Sequence, residues 1–241
     1  MLASFAGLGL RSNGRRVLVG LTLALIALAV VVPTLADPGI TSDEPTYYKA
    51  SRGYMAWLGL LKRGLLQGDL REPFSDATVV RWWVQDPTLE LHPPLGKLLI
   101  GLTWAGFRGV LGDIVAHRLC SAVLFSLLVA MVFWMVASAF DTTSGIFAAL
   151  SLLLMPRMFF HAHMATIDIT VAVTWFAAMY LFWKLEGTTG WFPVVAVGIA
   201  YGLALSTKLN AIVMPLAWGA WTLLCRRDWR SVLRLVTMGA I

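Results

Sequence analysis

Charge is scarce in this chain of 241 residues: Asp, Glu, Lys and Arg make up 13%, against about 25% in a soluble domain. That scarcity excludes a water-soluble globular protein. The 59% share of hydrophobic residues and a mean hydropathy of +0.76 describe a polytopic membrane protein. The apolar runs lack the ten-residue alternation of an outer-membrane barrel, which leaves a helical bundle. Cysteine is also rare. Cys120 and Cys225 both fall inside apolar runs near opposite ends of helices, so neither a disulfide nor a thiolate metal site is expected. No basic patch is interleaved with exposed aromatics, and several basic residues flank apolar runs, where they orient helices. The net charge of +6 is therefore read without nucleic acid. Internal repeats, low-complexity tracts and a soluble domain are missing as well.

What the chain does have is membrane-length apolar runs, each to be measured against a hydrocarbon core of ~30 Å that takes roughly 20 helical residues to cross. They predict spans at about 16–36, 115–138, 143–160, 167–185, 191–207 and 209–225, with a last one from 231 that is cut short at Ile241. The fold class is thus all-α integral membrane, a polytopic transmembrane helical bundle, and the chain reads as the N-terminal part of a longer one. Arg11 to Arg16, the apolar run and Pro33-Thr-Leu-Ala36 have the layout of a signal peptide. An uncleaved first span is preferred, because the run is long for a signal and a charged segment after it needs delivery across the membrane.

That segment, 37–114, holds nine of the thirteen acids. Within it, 46–66 mixes Tyr47, Tyr48, Tyr54 and Trp57 with Lys49, Arg52, Lys62 and Arg63, the pattern of a helix in the headgroup region. Residues 95–110 are apolar but short. If 95–111 crossed the bilayer, Asp43 and Asp168 would lie on opposite sides; lying flat, it leaves them together. The positive-inside bias favours the flat arrangement, with Arg11, Arg15, Arg16, Lys184, Arg226, Arg227 and Arg230 cytoplasmic. The loop 37–114, the segment 161–168 and Lys208 then face outward.

Three polar clusters interrupt the oily sequence. In Thr41-Ser-Asp-Glu-Pro45, Ser42 or Asp43 can cap a helix that starts at Pro45, while one carboxylate can also serve as a general base. In His92-Pro-Pro-Leu-Gly-Lys97 the prolines stiffen the entry to a helix. Lys97 either snorkels to headgroups or, with the helix N-terminus, meets a phosphate. In His161-Ala-His-Met-Ala-Thr-Ile-Asp168 the two histidines, at i and i+2, share no helix face and alone make an incomplete metal site; Asp168 opens the next span. Lys208 and Arg118 add charges at span ends, which mark function or an interfacial turn.

Taken in order, these residues resemble the GT-C glycosyltransferase superfamily, specifically its protein O-mannosyltransferase and aminoarabinose-transferase branch, which uses polyprenyl-phosphate sugars. The matching pieces are Asp43-Glu44, His92-Pro-Pro-Leu-Gly-Lys97, Arg118-Leu-Cys-Ser-Ala122, the histidine segment ending in Asp168, and Gly202-Leu-Ala-Leu-Ser-Thr-Lys208. The resemblance implies an outward-facing active site, two interfacial juxtamembrane helices in the first loop and a bundle continuing past Ile241. It implies a mannosyltransferase-like enzyme of a bacterial-type inner or plasma membrane, whose partners are the bilayer, a polyprenyl-phosphate-linked sugar and a protein or glycolipid acceptor. On this footing Asp43 is the expected base, Glu44 its neighbour and Asp168 a second acid. Lys97, Lys208, Arg52 and Arg118 are expected to hold the donor phosphate, and His92, His161, His163 and Tyr47 to line the substrate site. His161-Ala-His163 and a long insertion at 68–91 depart from the family's pattern, leaving acceptor and any divalent metal open. A lipid-sugar flippase or a noncatalytic membrane subunit is the rival reading. Transporter sites, however, lie near the midplane in paired halves, whereas these clusters gather at span ends.

Overall fold

Backbone groups in hydrocarbon must satisfy one another, so long apolar runs fold as helices. The computed structural model describes residues 10–84, 92–185, 188 and 190–226; among them no strand occurs. The helices are α1 (Leu10–Val31), α2 (Glu44–Gln67), α3 (Asp76–Trp83), α4 (Leu95–Leu111), α5 (Asp113–Ala139), α6 (Thr142–Leu153), α7 (Pro156–Ala162), α8 (Asp168–Leu185), α9 (Trp191–Leu205) and α10 (Met214–Trp221). Two stretches, Gly14–Thr34 and Asp113–Ala139, are each long and apolar enough to cross a membrane as straight helices.

Helix α5 is the central element, packed by α1, α4, α6 and α8. Close approach depends on small residues, as is common in membrane bundles. Gly20 lies under the Trp134 indole, and a Cβ on Gly145 would sit 2.9 Å from the Phe133 carbonyl. The main apolar cluster includes Leu35, Phe125, Phe133, Ala149 and Ile169. A second joins α8, α9 and α10 through Phe182, Tyr201 and Trp218.

The sequence reading needs correction at four places. The expected span 143–160 is bent by 67° between α6 and α7, because Pro156 drives Met155 into an extended conformation (φ −71°, ψ 113°). The stretch 209–225 is not one α-helix: a 3-10 turn at Leu209–Val213 precedes α10, and a π-type turn at Thr222–Arg226 follows it. Inside the 68–91 insertion lies α3, capped by Ser75 Oγ accepting from the Thr78 amide at 3.4 Å. Asp43 occupies the N-cap position of α2 but its side chain makes no capping bond. The final expected span lies outside the described residues, as do residues 85–91 of the first loop.

The attitude of α4 follows from its anchors. A single residue, Gly112 at φ +77°, turns α4 into α5. At the other end Gly96 rests on Ile167, three residues after Met164, whose carbonyl accepts from Ser121 Oγ at 2.6 Å. Ser121 is eight residues past Asp113, about 12 Å along α5, whereas the 17 residues of α4 measure about 25 Å. Helix α4 therefore lies aslant, and its two ends stay in the same half of the bundle.

Candidate active site

The segment between α1 and α2 wraps around one guanidinium. Arg118, one and a half turns into α5, donates from Nη1 to the carbonyls of Leu35 (2.8 Å) and Pro38 (2.9 Å) and from Nη2 to that of Gly39 (2.9 Å). Its Nε and Nη2 meet the two oxygens of Glu44 at 2.7 and 2.8 Å. Glu44 also accepts from the Thr41 amide, the Tyr48 hydroxyl and the Ala165 amide, each at 3.0 Å. Both side chains are fully buried, which a charge tolerates only when paired and hydrogen-bonded. Burial alone would raise the Glu44 carboxyl, but the Arg118 hydrogen bonds and the Ala165 and Thr41 amides outweigh it, holding its pKa below the usual 4.5. Burial and the Glu44 charge push the Tyr48 hydroxyl up to about 12. The pair fastens four pieces of chain together: the 35–41 segment, α2, α5 and the loop before α8.

Two expected roles change as a result. All five Arg118 donors go to protein acceptors, so none remains for a phosphate. Glu44 faces inward, away from any substrate. Asp43, one residue earlier, is exposed and receives a single bond from Ser42 Oγ at 3.3 Å. It is the acid of the pair that can meet a substrate.

Three further segments dock beside it. The Leu95 amide donates to the Ser206 carbonyl at 3.0 Å, joining the start of α4 to the turn that carries Lys208. Gly96 sits against Ile167 so closely that a Cβ would come within 2.6 Å of its Cγ2, which brings in the Asp168 loop. His92 registers all the neighbours. Burial lowers its pKa below 6.5, the charges of Lys208 and Lys97 lower it further, and Asp168 and Asp43 act in the opposite direction. Lys208, Lys97, Asp168 and Asp43, all expected from sequence to be functional, thus lie within electrostatic reach of His92. His92 and Lys208 are half-buried. Lys97 is 2% exposed, with Nζ 5.9 Å from the centre of the Tyr54 ring.

Asp168 opens α8 with its side chain half exposed. It accepts from Thr166 Oγ1 at 2.8 Å, and His161 Nδ1 approaches it at 3.3 Å without hydrogen-bond geometry. His163 is different. Its Nδ1 faces the Phe159 carbonyl and its Nε2 the Thr34 hydroxyl, both at 2.8 Å, so this buried ring has no nitrogen left for a substrate or a metal. Among the described residues no group of three His, Cys, Asp or Glu side chains comes together as metal ligands. Tyr47 is half-buried, packed beside Tyr48, Ile100, Cys120 and Ala165. Arg52 is ion-paired with Asp113 and lines a separate groove between α2 and α3. Cys120 is free and buried.

Sequence reasoning missed the inward turn of Glu44, the stack of Tyr48, His117 and Trp104 (centroids 4.3 and 5.4 Å), and Ser121. One signal for the first was present: a charged residue 118 inside an apolar run demands a partner of opposite sign.

A family model described as dolichyl-phosphate-mannose-protein mannosyltransferase matches residues 91–241. The match takes in His92, Lys97, Arg118, Asp168 and Lys208, while Asp43 and Glu44 precede it. No curated protein and no solved structure matches the chain. With well over half of its length matched and its polar residues gathered at one end of a helical membrane bundle, the chain belongs to the dolichyl-phosphate-mannose-protein mannosyltransferase family, glycosyltransferases of the GT-C type.

Proposed function

We propose that this membrane glycosyltransferase moves a sugar, mannose by family analogy, from a polyprenyl phosphate to an acceptor hydroxyl or amine on the non-cytoplasmic side, with inversion. Asp43 accepts the acceptor's proton as its oxygen or nitrogen attacks the anomeric carbon. The bond from that carbon to the phosphate oxygen breaks on the opposite face, and its electron pair leaves with the polyprenyl phosphate. Attack from the face opposite the leaving group is what inverts the centre, as in inverting glycosidases. A phosphate departs as an anion, so the step calls for fixed positive charge rather than an acid. Lys97 and Lys208 supply it. His92, held uncharged near neutral pH by burial and both lysines, hydrogen-bonds the phosphate or the sugar. Asp168 orients the acceptor or sugar hydroxyls.

The observation that carries this reading is the docking of the start of α4 on the Ser206 turn and on Ile167, which draws together the segments that carry Lys97, Lys208 and Asp168, in a chain of this family. The test is transfer from a short-chain polyprenyl-phosphate mannose by purified protein. Asp43→Asn should lower the rate by roughly 10²–10⁴-fold while donor binding and melting temperature stay put. Lys208→Ala should weaken donor binding. Near-normal turnover by Asp43→Asn would remove the base, and unchanged donor affinity in Lys208→Ala would remove the phosphate clamp.

A further inference from the structure

A groove of about 690 Å³ runs between α2 and α3, within the usual size range of ligand sites. It is a built feature. Trp57 Nε1 donates to the Pro73 carbonyl at 2.8 Å, and Trp83 packs against Tyr54 and Trp57 with centroids 4.6 and 5.0 Å apart, so α3 is pinned along α2 while Arg81 and Trp82 are left to the opening. Lys49, Arg52 and Arg81 all line it, and none of its described lining residues is acidic. Asp113 compensates Arg52 from outside the lining, and among the described residues no acid pairs with the other two positive charges. The Arg81 guanidinium lies 4.7 Å over the Trp82 ring, a contact that holds it in place and leaves its N–H groups available. Beside these basic residues, Val80 and Val84, which also line the groove, are 57% and 53% exposed.

We infer that the α2–α3 groove binds the phosphate headgroup of an anionic membrane lipid, with the exposed apolar side chains alongside its acyl chains. Charge complementarity names the headgroup, and the apolar rim names a lipid rather than a free anion. The position agrees: both helices lie between two candidate spans, α1 and α5, and α2 has the Tyr, Trp and Lys/Arg make-up of an interfacial helix. The groove is distinct from the His92 cluster, whose lysines are Lys97 and Lys208, and its occupancy is read without turnover.

The experiment titrates the purified full chain in a neutral detergent with dihexanoyl-phosphatidylglycerol, following heat of binding. Saturable binding is expected, with no comparable binding of dihexanoyl-phosphatidylcholine. Lys49→Ala/Arg81→Ala should bind roughly thirtyfold more weakly, the effect of two basic side chains at an anionic headgroup. Lys62→Ala/Arg63→Ala, which removes the same charge from exposed positions of α2 outside the groove, should bind normally. Equal losses in the two double variants would reduce the effect to diffuse surface charge and overturn the inference. Phosphatidylcholine binding as tightly, inorganic phosphate binding as tightly, or full displacement by a short polyprenyl phosphate would each overturn it too.

Discussion

Asp43 and Glu44 are neighbours in sequence with opposite surroundings, and that contrast separates their tasks. Removing one member of a buried ion pair leaves the other charge stranded, which costs about 3–5 kcal/mol. Glu44→Gln and Arg118→Met are each expected to lower the melting temperature sharply in detergent, and the double variant to recover part of the loss; additive losses would show that the two side chains do not act as a unit. Because the folded Glu44 carboxyl ionises below 4.5, its contribution is present above about pH 4.5 and is lost as pH falls through the lower folded value. Arg118→Met should therefore flatten the acid limb of a stability–pH curve. The His92 contribution begins to act at higher pH, from the ordinary histidine value downward. With its pKa depressed below 6.5, it binds fewer protons folded than unfolded in the interval beneath that value, so stability declines as pH drops there. His92→Gln should remove that decline, measured as melting temperature between about pH 5 and 7.

At the scale of elements, the site depends on how closely the start of α4 can approach the loop before α8. Gly96→Ala places a methyl against Ile167 and is expected to impair donor binding and transfer, with a modest loss of melting temperature. Gly106→Ala, on the same helix with nothing within 4 Å, should be neutral or stabilise by up to ~1 kcal/mol, alanine being the better helix former. Unimpaired transfer by Gly96→Ala would show that the docking is incidental. The existence and rough extent of α2, α4, α5, α8 and α9 were legible, because membrane-length apolarity and interfacial Tyr, Trp and Lys patterns act locally. Helix α3 was not, since its eight residues carry a pattern too short to read; its Ser75 cap and its seat on Trp57 are what stabilise it. The bend at Pro156 was readable in principle. It was missed because apolarity runs on without a break from α6 into α7.

For the molecule as a whole, the Glu44–Ala165 bond and the shared neighbours of His92 put the functional residues at one end of the bundle, while the α5–α6 turn lies at the other. In a background without Cys120 and Cys225, single cysteines replacing the exposed Ser42 and Ser206 should label from the same side of the membrane, and one replacing Thr143 from the opposite side. Labelling of Ser42→Cys and Ser206→Cys from different sides would break the site apart. Composition and hydropathy by themselves determined the class: too little charge and too much apolar surface for water, hence a helical membrane protein, and the ordered polar motifs were enough to point to a GT-C enzyme. Only tertiary structure decided which of two adjacent acids is buried and which arginine is saturated by protein acceptors. The partners of Glu44 and Arg118 lie as far as 121 residues apart in the chain, and no local pattern encodes a contact made at that distance.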